Sequence, residues 1–492
     1  MLKPILILHR WLGVVIGAVM ALWCLSGFVM MYVDYPRFPP DAQIGGLAPL
    51  VPVPAGGLAG VALAEDAPLA SARVEMMAGQ PVLRIVPALD PARPIRQMRV
   101  TPEAFDLTDG APVSAVSPAD IAKVAAGFGA RTGVAGGVSH VAETGIDQWT
   151  VQTWRRNAPL YRADYADAAG TQIYISGKTG EVVQRTTRFQ RFWGWLGAVP
   201  HWLYPTILRQ DGELWNQVVV WTSLAGCFLT VTGIWVGIAR LRRWRDGSIG
   251  SPFRGVWWWH HMLGLFFGVL TLTWVASGLF SMNPWGFLDS MAGFAERRQL
   301  AGEMRWGAVR DALAAARPGS GVARIETAPL GGRVFLIADT ADGRRERLSA
   351  DGRAAPLTGG ELRAALARAL PLAALERLTR EDDYYYAHHN PAPLPVWRAR
   401  LGDAGRTILY IDPVSGQIAR AVDGNGRGFR WLQDGLHSLD FPILRQRPVW
   451  DLVVLPLLAM VTFVCGTGTW MAWNKLKRDL RRTRRRRRAR LR

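Results

Sequence analysis

The chain has 492 residues, 49% of them hydrophobic and 22 of them Trp, and a formal net charge of +19. Mean hydropathy is only slightly positive, which excludes a uniformly apolar bundle and points to a mixture of membrane and soluble parts. The charge raises nucleic acid as a partner, but two short stretches carry most of it. Residues 240–254 hold five Arg and one Asp, and residues 475–492 hold twelve Lys or Arg and one Asp. Both adjoin apolar runs, so they read as a signal that faces the cytoplasm, and no nucleic-acid partner is expected. The tail could also touch anionic lipid.

In chain order, the first apolar window is about 11–32. Like three later ones it lacks charged side chains over roughly the 20 residues needed to cross a bilayer. It is too long for a signal peptide, and no small-residue cleavage site follows Leu25-Ser26-Gly27, so residues 1–32 are expected to form an uncleaved transmembrane helix. Pro/Gly/Ala-rich sequence near 36–60 reads as loop or linker. Residues 33–190 read as a first extracytoplasmic α+β domain. It contains a helix near 118–128, a strand over Asp147–Trp154, and a hairpin from Thr171 through Gly180. Residues 191–239 read as an edge helix followed by a second span over 214–239, and residues 240–255 as a basic cytoplasmic loop. The third span is expected over 256–282. A second extracytoplasmic α+β domain follows over 283–430, with a helix near 359–369, a strand over Leu394–Leu401 and a hairpin from Thr407 through Gly416. Residues 431–473 repeat the edge helix and add a fourth span over 452–473. Residues 474–492 form the basic cytoplasmic tail.

The fold expected is therefore an integral membrane bundle of four transmembrane helices with two extracytoplasmic α+β domains. Both termini lie inside, in the inner membrane of a bacterium. Because each half starts on the same side, the halves form a parallel internal repeat about a pseudo-twofold axis along the membrane normal. Cys24, Cys227 and Cys465 fall within spans, so the outer segments have no disulfide framework, and the thiols read as packing groups.

The repeat carries chemistry. His9-Arg-Trp-Leu-Gly13 recurs as His260-His261-Met-Leu-Gly264, and each opens a span that continues through Gly17 and Ser26-Gly27 or through Gly268 and Ser277-Gly278. Trp195…His201…Ile207-Leu208-Arg209-Gln210 recurs as Trp431…His437…Ile443-Leu444-Arg445-Gln446. Span direction puts His9 with His260 near the cytoplasmic face and His201 with His437 near the outer face. Neutral imidazole is an axial ligand type for haem iron, so two facing pairs could hold two haems. His260 and His261 are alternatives for one position, the other lining the pocket. Arg10, Arg209 and Arg445 could pair with haem propionates or sit solvated among lipid headgroups. The glycines either let helices approach closely or make room for a flat macrocycle. A lone His at a membrane edge is usually an interfacial side chain; four in repeat-related positions shift the reading. No Asp, Glu, Lys or Arg lies deep within the spans, which argues against an ion-coupled transporter.

At these residues the chain resembles the PepSY-associated transmembrane family, iron-regulated membrane proteins that include ferric-siderophore reductases. The resemblance covers nearly the whole length. It rests on His9-Arg-Trp-Leu-Gly13, the paired histidines opening the third span, the hairpins Tyr174–Gly180 and Tyr410–Gly416, and Asp383-Tyr-Tyr-Tyr386-x-His-His389 followed by Leu394-Pro395. The first hairpin lacks the usual Asp-Pro at its turn. The resemblance implies b-type haems on the membrane histidines and electrons passed outward to ferric iron held by a chelator. The donor would be a quinol or another protein. Tyr384, Tyr385, Tyr386, His388 and His389 could contact a ferric chelate, or form a polar strand edge. Two other functions stay open: a PepSY-type anchored module that binds or restrains peptidases without redox activity, and a cytochrome b subunit serving a protein acceptor.

Overall fold

The computed structural model describes residues 2–88, 102–387 and 392–490. The chain divides into two compact units. One comprises Met1–Tyr35, Phe192–Asp289 and Arg427–Arg492; the other comprises Pro36–Arg191 and Ser290–Gly426.

The first unit is helical. Its long helices are α1 (Leu2–Met30), α2 (Gly212–Ala239), α3 (Val256–Ser281) and α4 (Val449–Arg490). All four are long and apolar enough to cross a membrane. Asp211 starts α2, its carboxylate accepting from the backbone N–H groups of Glu213 and Leu214, which satisfies donors that a helix start leaves orphaned. The basic tail does not leave the last helix. It continues α4 through Arg490. Large apolar side chains such as Val15, Trp221, Phe266 and Leu452 point outward and are exposed. A soluble bundle would bury them; a bundle in lipid need not. The helices pack in a ring, α1 against α2 and α4, and α3 against α2 and α4. Small residues set the spacing: a Cβ on Gly17 would come 2.9 Å from Thr469 Oγ1, and one on Gly268 would come 2.8 Å from Ile234. A core of Met20, Leu229, Val461 and Cys465, with Cys24 and Trp274 against it, fills the middle.

Among the described residues, the second unit holds three sheets. The largest has six antiparallel strands in the order Arg345–Ser349, Phe335–Thr340, Val322–Thr327, Leu69–Met77, Gln80–Pro87, Glu103–Asp106. The central pair joins the two stretches of this unit, Pro36–Arg191 and Ser290–Gly426, with Val74 opposite Ile325. The segments, expected as separate domains, thus share one sheet. Strand alternation sends Val74, Leu83, Ile85, Ile325 and Leu336 to an apolar face, where they pack with Trp306, Val309 and Leu313. The other face is charged. Glu75 accepts from Arg84 at 2.6 Å, and Asp339 accepts from Arg324 at 3.0 Å. Both ion pairs are buried, so each charge depends on its partner.

Two four-stranded sheets repeat one another. The first runs Val138–Thr144, Leu160–Tyr165, Gln172–Ser176, Val182–Thr186, and the second runs Leu372–Leu378, Val396–Leu401, Ile408–Ile411, Ile418–Val422. The helices Pro118–Arg131 and Gly359–Ala369 contribute to their cores. Both expected hairpins form, with Gly180 (φ +69) and Gly416 (φ +73) in the left-handed turn position that favours glycine. The strand expected over Asp147–Trp154 is absent. Asp147 Oδ1 instead accepts from the N–H groups of Trp149 and Thr150, a side-chain turn that competes with extended pairing. The linker near 36–60 contains short helices at Pro40–Gly45 and Ala55–Gly60, and Leu58 is buried in the core of the large sheet.

Candidate functional site

The four repeat-related histidines all lie in the helical unit, and each makes the same pair of contacts. His9 Nδ1 is 3.1 Å from the Leu229 carbonyl oxygen and 3.4 Å from Thr232 Oγ1. His260 Nδ1 is 3.2 Å from the Val464 carbonyl oxygen and 3.3 Å from Thr467 Oγ1. His201 Nδ1 is 3.0 Å from the Trp23 carbonyl oxygen and 3.1 Å from Ser26 Oγ. His437 Nδ1 is 3.2 Å from the Trp274 carbonyl oxygen and 3.1 Å from Ser277 Oγ. A carbonyl oxygen can only accept, so Nδ1 carries the proton in every case and Nε2 carries the lone pair. No Nε2 of the four has a hydrogen-bond partner among the described residues. Metal-ligating histidines are fixed by this kind of Nδ1–H to carbonyl bond.

His261 differs. Its Nδ1 is 2.7 Å from Ser251 Oγ and its Nε2 is 2.8 Å from the Gly237 carbonyl oxygen. Both ring nitrogens are used, and the side chain is buried. It ties α3 to the 240–254 loop and to the end of α2.

The structure brings the histidines together in the pairs that span direction suggested. His201, at the end of the short helix Ala198–His201, and His437, just after the π-helical turn Arg430–Gly435, have ring centroids 5.9 Å apart with planes at 72°. Two imidazole–metal bonds of about 2 Å each, with the ring radii added, need a separation of roughly 6 Å. Gly27 and Gly278 lie beside these rings: a Cβ on each would stand 3.8 Å from His201 Cε1 and 3.6 Å from His437 Cε1. His9 and His260 line one cavity of about 400 Å³, within the usual range of cofactor pockets. Gly233 and Gly468 back those rings closely, since a Cβ on either would come 2.8 Å from Cε1 of His9 or of His260. Gly13, Gly17, Gly264 and Gly268 also line the cavity, so part of its wall has no side chain.

Thr232, Gly233, Thr467 and Gly468 were not singled out from the sequence. Their signal was there as Thr232-Gly233-Ile-Trp235 against Thr467-Gly468-Thr-Trp470, a further repeated pair inside the second and fourth spans. Of the candidate cations, Arg10 lines the cavity with His9 and His260. Arg209 lies over the rings of Tyr204 and Trp215, and Arg445 Nε is 3.9 Å from Asp440. Arg240 and Lys475 join Arg10 in lining the cavity. Trp221 is exposed on the outside of α2. Trp274 packs in the bundle core.

In the second unit the tyrosine-rich stretch is a packed turn. Asp382 Oδ1 accepts from the N–H groups of Tyr384 and Tyr385. Tyr385 donates to the Pro393 carbonyl oxygen and stacks on Tyr410 at 4.9 Å, and Arg420 lies 5.9 Å from the Tyr386 ring centroid. His388 and His389 lie outside the described residues. No group of three or more His, Cys, Asp or Glu is placed to hold a metal ion among the described residues. A site of two imidazoles suits a metal whose other donors come from a macrocycle. Comparison with protein-family models and with curated proteins gave no match.

Proposed function

We propose that this chain is a multi-pass protein of a bacterial cytoplasmic membrane that holds two haem b groups and passes electrons outward to an extracytoplasmic ferric complex. It would be a ferric-chelate or ferric-siderophore reductase of the PepSY-associated transmembrane type. The observation that carries the reading is the fourfold recurrence of one arrangement, Nδ1 facing a backbone carbonyl and a Ser or Thr hydroxyl of another helix, with Nε2 left for a ligand. Bound haem supplies one-electron exchange at its iron.

The chain's own residues supply the rest. Leu229, Val464, Trp23 and Trp274 fix the tautomer through their carbonyls, and Thr232, Thr467, Ser26 and Ser277 fix ring orientation. The glycine-lined wall admits a flat group between α1, α2, α3 and α4. The apolar core around Met20, Trp274 and Cys465 keeps water from the middle of the bundle. The basic stretches at 240–254 and 475–492 set the cytoplasmic side. A quinol or a protein is the proposed donor.

The test is the visible spectrum of the purified protein, oxidised and dithionite-reduced, with haem stoichiometry by pyridine haemochrome. Two low-spin b-type haems per chain, followed by reoxidation on adding a ferric chelate, support the reading. A colourless protein from haem-replete cells would sink it. Haem that is reoxidised only by a protein acceptor would exclude the chelate as substrate.

A further inference from the structure

The cavity shared by His9 and His260 has a polarity of its own. Gly233 and Gly237 on α2 and Arg240 at its C-cap follow one another at spacings of four and three residues, and on α4 so do Gly468, Ala472 and Lys475; all six line the cavity. That spacing keeps each set on one helix face. Each face is therefore a smooth strip that backs an imidazole at one end and carries a cation about 10 Å further along the helix. The two strips are repeat mates, Arg240 standing to Thr232-Gly233 as Lys475 stands to Thr467-Gly468. Arg10, next to His9, adds a third cation, and no Asp or Glu is among the lining residues. Lys475 pairs with Asp479 one turn on. Arg240 has no acidic partner among the described residues, and its Nε is buried without a hydrogen bond.

We infer that Arg240 and Lys475, together with Arg10, form an anion-binding rim that holds the two carboxylates of the macrocycle and sets its orientation in the groove, acid edge toward the basic end of the bundle. The inference rests on the haem reading of the histidine pairs. The chemistry recognised is a pair of carboxylates on one edge of a flat apolar body. Small residues make room for the body, the imidazoles bind its metal through Nε2, and the cations donate charge-assisted hydrogen bonds to its acid groups.

The experiment is a spectral titration of the full-length protein, purified without haem from haem-starved cells and placed in nanodiscs. The probes are haem and its dimethyl ester, in which both carboxylates are masked. His201→Ala in every sample leaves the cytoplasmic-side pair as the site titrated. Haem is expected to bind about tenfold or more tightly than the ester. Arg10→Gln, Arg240→Gln and Lys475→Gln together should shrink that gap to near one, and Arg240→Lys alone should keep most of it. The Soret band of the bound forms should stay that of a bis-imidazole site throughout, which separates lost anchoring from lost folding. Equal affinity for acid and ester in the native rim overturns the inference and leaves the haem reading standing. Binding of neither probe overturns the haem reading, and this inference with it. A gap seen in zwitterionic nanodiscs but abolished by anionic lipid would assign the rim to lipid phosphate instead, and also overturns it.

Discussion

A histidine offers a metal one lone pair, and what its other nitrogen does decides which one. That is why His260 and His261, indistinguishable as residue types, separate once their partners are seen. His260 Nε2 has no hydrogen-bond partner among the described residues, whereas His261 spends one nitrogen on Ser251 and the other on Gly237. Substituting His260→Ala is expected to halve the haem content, while His261→Ala leaves two haems and loosens the 240–254 loop; pyridine haemochrome on both variants is the check. The hydroxyl partners are expected to act more gently. Removing one, as in Ser26→Ala or Thr232→Val, should weaken haem retention at that pair by about 10- to 100-fold, measured as transfer to excess apomyoglobin. Equal retention in both variants would mean that the carbonyls alone orient the rings. The histidines were legible in the sequence because the repeat marks them. Their partners were not, since a carbonyl has no letter, and Ser, Thr and Gly are ordinary residues in apolar helices.

At the scale of the element, each small sheet is anchored by a tyrosine on an aspartate. Tyr174 donates to Asp147 at 2.7 Å and Tyr410 to Asp382 at 2.8 Å, and both rings are fully buried. The strand expectation over Asp147–Trp154 failed for this reason. Its alternating pattern was real, but the Asp147 carboxylate captures local N–H groups and turns the chain. The hairpins and the two helices were legible because their glycines, β-branched runs and N-caps act locally, as Ser117 and Thr358 do in accepting from Asp120 and Glu361. Burial, reinforced by the neighbouring carboxylate, holds both tyrosine hydroxyls well above their ordinary value, and burial pushes Tyr165 up to about 12. A tyrosine whose pKa is raised on folding stabilises fully below its unfolded value of about 10 and loses that contribution as pH rises above it. The second unit should therefore unfold more easily from about pH 10 upward, while Tyr410→Phe, less stable at neutral pH, should show a shallower alkaline loss. Denaturant titrations of the full chain at several pH values will show whether the two slopes differ.

Across the whole molecule, the internal repeat explains why four long apolar helices bring the histidines together as two pairs. Each half contributes one histidine to each pair, so neither half holds a complete pair. The spans and their order were legible in the sequence, because length and charge are enough to mark a membrane helix. The shared six-stranded sheet was not, because nothing in residues 69–77 or 322–327 names its partner; register between distant strands is set by burial, which acts only after folding. Residues 1–250 expressed alone should leave the Leu69–Met77 strand without its neighbour and yield a protease-sensitive outer segment. Co-expression of residues 251–492 should restore protection, as read by limited proteolysis of membranes.

That central strand pair also sets a clock. Val322–Thr327 is made about 245 residues after Leu69–Met77, and at about 5–20 residues per second that is some tens of seconds. Throughout this interval the earlier strand has its hydrogen-bonding edge bare, an invitation to pair with the wrong chain. The charged alternation along it, with Arg73 and Glu75 between apolar neighbours, keeps that edge soluble while it waits. Maturation of this protein is thus paced by synthesis of its second half.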